Sequence, residues 1–237
     1  TMKCDEAADE TATPSLESFL QLSCFISQDV KYLFTGLKTR LEEKITKKSS
    51  TLGRDAVYTK TSRISRLPGY LCIQLVRFFY KEKEKVSAKV LKDIKFPIIL
   101  DVYDLCTDDL KKRFLSVREA FRLKDEEENL NKKSKKTQEE NSMNVDNQQN
   151  KIISDLKKNQ EPAKIYAPYS FENDTGSNNS GFYELIAVLT HKGRSANSGH
   201  YVGWAKDQKS GSWYMYDDDQ VSQVTEEDIL KLSGGGF

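Results

Sequence analysis

SGHYVGWAKDQKSGSWYMYDDD, residues 198–219, holds one of the chain's two histidines and a run of three aspartates. Two runs of β-forming residues, GHYVGWA and SWYMY, flank the turn-like segment KDQKSGS, which reads as an antiparallel hairpin. A turn centred at Gln208 and Lys209 sets Trp204 opposite Trp213, a favourable aromatic pair, and His200 opposite Asp217. Directly opposed side chains have Cβ atoms ~5 Å apart, so an aspartate there reaches an imidazole nitrogen. Strand alternation puts Asp217 and Asp219 on one face and Asp218 on the other, making Asp217 the first partner of His200 and Asp219 the second. A His–Asp pair can be a general base with its orienting carboxylate, or a cross-strand hydrogen bond that only stabilises the hairpin. The local pattern leaves both uses open.

Outward from the hairpin, GFYELIAVLTH reads as one continuous apolar strand that His191 ends, and SWYMYDDDQVSQV as another. GRSANSG, between the two histidines, is either a flexible lip beside the pair or a plain turn. TEEDILKL predicts a short helix with acids in its first turn, as the helix dipole favours. Towards the N-terminus, Leu110, Phe114, Val117 and Phe121 share a helical face that opens after Thr107 and Asp108. From Arg122 to Ile165 there is neither an aromatic residue nor a glycine. Residues 124–164 are therefore expected to be a disordered insertion, because they cannot bury enough apolar area to offset the entropy of ordering. RLPGYLCIQLVRFFY predicts a buried strand over Tyr70–Tyr80, KEKEK a charged loop, and KVLKDIKFPIILDVYDL one or two short strands broken at Pro97. LQLSCFI reads as a strand, Phe34, Leu37, Leu41 and Ile45 as one face of a helix, and residues 1–18 as a flexible lead-in to a domain over 19–237.

Composition narrows the class of protein. Thirty-seven Lys and Arg nearly balance 36 Asp and Glu, a net charge of +1 that gives no reason to expect nucleic acid or a membrane surface. The lysines of KKSKK lack neighbouring aromatics and read as a solvated charge run. No apolar run approaches the ~20 residues a membrane span needs. Four cysteines, Cys4, Cys24, Cys72 and Cys106, are scattered without a CxxC pair, so neither zinc nor any other metal or cofactor is expected. They read as reduced thiols of an intracellular protein, cytoplasmic with the nucleus as a second compartment.

YELIAVLTHKGRSANSGHYVGW followed by WYMYDDDQV resembles the His box of the ubiquitin-specific proteases, papain-like cysteine hydrolases acting on ubiquitin. LPGYLCIQLVRFFY resembles the family's strand with an LP start and an RF end, and KDIKFPIILD its FP–LD segment, so the likeness spans most of Ser65–Asp101 and Gly181–Leu232. The resemblance implies an α+β, papain-like fold with fingers, palm and thumb, incomplete at the N-terminus and lacking the last strand. It implies His200 as general base and Asp217 as the third member of a triad. Gly199 and Tyr201 would flank the channel for ubiquitin's C-terminal tail, Arg194 to Ser198 would form a blocking loop, and KEKEK a second. VKYLFTGLK, RFFYKEKE and EDILKLSGGG resemble a proteasome-associated member, which implies ubiquitin, ubiquitinated proteins and the regulatory particle of the 26S proteasome as partners.

One departure stands out. The family's nucleophile lies in a Gly-Asn-x-Cys box on a helix, and no such box occurs here. A reactive thiolate wants an electropositive, partly exposed setting, which the contexts of Cys4, Cys24, Cys72 and Cys106 do not offer. Two functions therefore compete: a thiol-dependent deubiquitinase represented by its base and substrate walls, and an inactive fragment that holds ubiquitin or a proteasome subunit without cutting.

Overall fold

The computed structural model describes residues 1–83, 85–141, 169–195 and 198–234, without the side chains of Val86, residues 128–141 or Arg194. The chain forms two compact units. One comprises Thr1–Ser65, Tyr70–Thr107 and Gly181–Phe237, and the other Arg66–Gly69 and Asp108–Ser180.

The larger unit opens with β1 (Met2–Cys4), which pairs antiparallel with β4 (Asp55–Thr61), itself paired with β3 (Glu42–Lys48). The first part of the lead-in expected over residues 1–18 thus joins a sheet through Met2–Cys4, and acids that follow the strand help hold it. Glu6 accepts from the Val57 amide at 2.8 Å and from Arg54 at 2.7 Å, and Glu10 from Tyr58 and Ser49 at 2.6 Å each. Cys4, Ala7, Ala56 and Tyr58 form a small core beneath them. The expected helix over Phe34–Ile45 is likewise shorter: α1 spans Leu33–Arg40, buries Leu33 and Leu37, and gives way to β3, where Ile45 packs against that core.

β2 (Leu22–Phe25) pairs parallel with β5 (Ile73–Val76). β6 (Phe78–Lys81) and β7 (Val86–Lys89) make a hairpin around the KEKEK segment. The single buried strand expected over Tyr70–Tyr80 is therefore two strands broken at Arg77, and Tyr70, Phe79 and Tyr80 are exposed. Arg77 turns inward instead, donating to the carbonyls of Val90, Lys92 and Ser233. β8 (Ile99–Asp101) pairs with β9 (Phe182–Glu184), which is separate from β10 (Ala187–Ser195) because Leu185 donates to Ile98 instead of continuing one strand.

β10, β11 (Ser198–Lys206), β12 (Trp213–Asp217) and β13 (Gln220–Val224) form a four-stranded antiparallel sheet in that order. Val202 and Trp213 are buried on it. After it comes a short helix (Glu226–Leu230), numbered α3 below, opened by a capping box between Thr225 and Asp228.

In the smaller unit, α2 (Asp108–Asn141) starts at the expected place, with Asp108 and Asp109 in its first turn. It buries Leu110 and Phe114, the latter stacked on Phe171 with ring centroids 6.1 Å apart. Arg66 grips Asp174 with two hydrogen bonds of 2.8 and 2.9 Å. α2 continues through the first part of the expected 124–164 insertion, whose residues 142–164 lie outside the described residues.

Candidate active site

The β11–β12 turn sets the register at the histidine. Asp207 organises it, its carboxylate accepting from the amides of Lys209 and Ser210 and from the Ser210 hydroxyl at 2.6 Å. Gly211 takes φ +73° as the chain returns, a left-handed conformation that glycine adopts without a steric penalty. This longer turn displaces the pairing by two residues from the expected one. Trp204 faces Met215, and Lys206 faces Trp213. The expected Trp204–Trp213 pair does not form; Trp204 Nε1 donates to Thr190 Oγ1 at 3.0 Å. A shift of two keeps every side chain on its face. His200 and Asp217 therefore still meet, diagonally.

His200 Nε2 lies 2.5 Å from Asp217 Oδ1. The carboxylate can only accept, so Nε2 carries the proton and Nδ1 keeps its lone pair for a proton from elsewhere. The second carboxylate oxygen is also engaged, with Lys192 Nζ at 3.3 Å from Oδ2. The His200 hydrogen bond, and then the Lys192 ammonium, hold the Asp217 carboxyl below its ordinary range. It stays ionised at neutral pH.

The run of three aspartates now has a division of labour. Asp217 ends β12 opposite Gln220, so Asp218 and Asp219 form the two-residue turn into β13. Asp218 adopts φ +53°, which aspartate tolerates better than most residues, and its carboxylate lies 4.0 Å from His200. Donor atoms of His200, Asp217 and Asp218 fall within 4.8 Å of one another. His200 and Asp217 are hydrogen-bonded to each other, and Lys192 meets the second carboxylate oxygen of Asp217.

The remaining expected site residues lie beside the pair on β10 and β11. Ser198 pairs with Ser195 across the loop. Gly199 has φ +143°, and a Cβ there would sit 2.4 Å from both His191 Nε2 and the Lys192 carbonyl oxygen. The glycine is thus required by the protein's own packing. Tyr201 points to the face opposite His200, its ring 4.8 Å from that of His191, which also meets Phe78 edge-on at 5.5 Å. The Arg194 side chain and residues 196–197 lie outside what is described. Lys192 was not singled out by the sequence reading. Its signal was strand pairing, which puts it directly opposite His200.

Three of the four cysteines lack the exposure a nucleophile needs. Cys4, Cys24 and Cys106 are buried, and burial pushes the Cys24 thiol up. Cys72 is exposed, one residue before β5.

A mixed α/β fold with an imidazole–carboxylate pair on adjacent strands fits a papain-like hydrolase. The family model described as "Ubiquitin carboxyl-terminal hydrolase" matches residues 1–234, and the chain belongs to that family, whose members are cysteine-type deubiquitinases. It is 44% identical over 237 residues to Ubiquitin carboxyl-terminal hydrolase 14 of Caenorhabditis elegans, covering 100% of this chain and 45% of that protein. It is 40% identical over 235 residues to Ubiquitin carboxyl-terminal hydrolase 6 of Arabidopsis thaliana, covering 99% of this chain and 48% of that one. The chain thus spans slightly under half the length of these relatives. Among solved structures, the SAGA Ubp8/Sgf11/Sus1/Sgf73 DUB module bound to ubiquitin aldehyde shares the fold, with TM-score 0.57, 19% identity, and coverage of 98% of this chain and 38% of that one.

Proposed function

We propose that the protein carrying this chain is a thiol-dependent deubiquitinase that hydrolyses peptide and isopeptide bonds after the C-terminal glycine of ubiquitin, with His200 as general base. The observation that carries this reading is the 2.5 Å contact between His200 Nε2 and Asp217 Oδ1 in a chain of this family. Asp217 fixes the tautomer and stabilises the imidazolium, so that Nδ1 takes the proton of a cysteine thiol. The thiolate attacks the glycine carbonyl. The imidazolium returns its proton to the departing lysine amine, and water, deprotonated by the same nitrogen, clears the thioester.

Burial supports the reading that Cys4, Cys24 and Cys106 are not that thiol, and the exposed Cys72 is set aside because it lies outside a Gly-Asn-x-Cys box. Gly199, Tyr201, Ser198 and Arg194 are proposed to line the path of the ubiquitin tail, with the β6–β7 hairpin and the β10–β11 loop as flanking walls. The sequence resemblance supports the regulatory particle of the 26S proteasome as partner, and with it a cytoplasmic and nuclear location. Among the described residues no helix is long and apolar enough to cross a membrane. The alternative is a ubiquitin-holding chain that does not cut. A ubiquitin C-terminal electrophile separates them. Stoichiometric labelling of the full-length protein, on a cysteine other than these four, supports the enzyme; failure to label overturns it.

A further inference from the structure

Among the described residues β10 is an edge strand of its sheet, and one row of its backbone carbonyls faces away from β11. The Lys192 carbonyl faces β11, as its nearness to Gly199 shows. Backbone alternation therefore turns the carbonyls of His191 and Gly193 outward, to the open edge. A single side chain meets both. Lys89 Nζ, from β7, donates to the His191 oxygen at 2.7 Å and to the Gly193 oxygen at 2.8 Å. Partial burial, reinforced by the neighbouring Arg77, pushes this ammonium's pKa down.

The two clamped peptide units bracket Lys192, whose backbone pairs with His200 and whose ammonium meets Asp217. Support on the other side is thin there. The β11–β12 ladder begins at Gly203↔Tyr216, short of His200, and the β10–β11 register shifts between Lys192 and Ser195. We propose that Lys89 is a positioning residue for the base: it fastens the β6–β7 hairpin to the β10 edge and so holds Lys192 and His200 in line with Asp217. The proposal rests on the deubiquitinase reading above.

The test uses the full-length protein and a ubiquitin C-terminal fluorogenic amide, comparing Lys89→Met, Lys89→Gln and Lys89→Arg with His200→Ala. Displacing a catalytic group by about 1 Å costs up to ~10²-fold. Lys89→Met is expected to lower kcat about tenfold with KM within about twofold, Lys89→Gln to fall between, and Lys89→Arg to recover most of the loss. Hydrogen exchange along β10 should quicken in the Met variant, or in the Gln variant if the Met protein does not fold. Wild-type kcat in these neutral variants, or no recovery by arginine, would overturn the proposal while leaving His200→Ala inactive. Activity surviving in His200→Ala would instead sink the deubiquitinase reading, and unchanged exchange along β10 would separately refute the clamp.

Discussion

Gly199, next to the histidine, has the least freedom of any residue around it. Its φ of +143° already disfavours a side chain, and the His191 ring and Lys192 carbonyl occupy the space a Cβ needs. Gly199→Ala should destabilise the protein by about 1–3 kcal/mol, the usual cost of such strain, and slow turnover as His200 is pushed from Asp217. Thermal melts and kcat on one preparation check this; an unchanged melting temperature contradicts it. The aspartates make a sharper comparison. Asp217→Asn should lower kcat by ~10²–10⁴-fold through loss of the tautomer and the imidazolium's partner. Asp219→Asn should have little effect, because Asp219 serves the β12–β13 turn. A larger loss from Asp219 would mean that the diagonal contact is not the working one.

At the scale of elements, α3 offers a clean pH test. Hydrogen bonds from Thr225 and Lys231 draw the Asp228 carboxyl down to about 2 from 3.8. A lowered carboxylate contributes stability that is complete above its unfolded value and disappears as pH falls through the folded one. The melting-temperature gap between wild type and Asp228→Asn should therefore be widest near neutrality, narrow from about pH 4 and close below about pH 2, and a gap that persists undiminished at pH 2 contradicts the cap. Thr225→Ala should cost about 1 kcal/mol at neutral pH, as loss of an N-cap does. This helix was legible in the sequence, as was the start of α2, because caps and apolar spacing are local signals. The β11–β12 hairpin was legible, but its register was not: Asp207 gathering Lys209 and Ser210 lengthens the turn, and composition does not reveal that. The N-terminal strand was missed because Asp5, Glu6 and Glu10 look solvated until the partners that bond them, some fifty residues away, are known. Arg77 likewise reads as surface charge and is instead an inward tie for three carbonyls.

At the scale of the whole molecule, the family likeness was read from blocks far apart in sequence, and the fold gathers YLCIQLVRFFY, residues 70–80, and the His box into one compact unit. Pairing across long separations also explains why the base and its carboxylate could be named from sequence while Lys89 could not. The first two are held by one hairpin, whereas Lys89 reaches its carbonyls over 102 and 104 residues. The central claim is that His200, oriented by Asp217, is the general base of a ubiquitin-cleaving thiol enzyme. Its most direct test is steady-state hydrolysis of a ubiquitin C-terminal fluorogenic amide by the full-length protein and its His200→Ala variant, with ubiquitin affinity measured on both. The account predicts a loss of ~10²–10⁴-fold or more in kcat with affinity preserved. Turnover within about threefold of wild type in the alanine variant would contradict it.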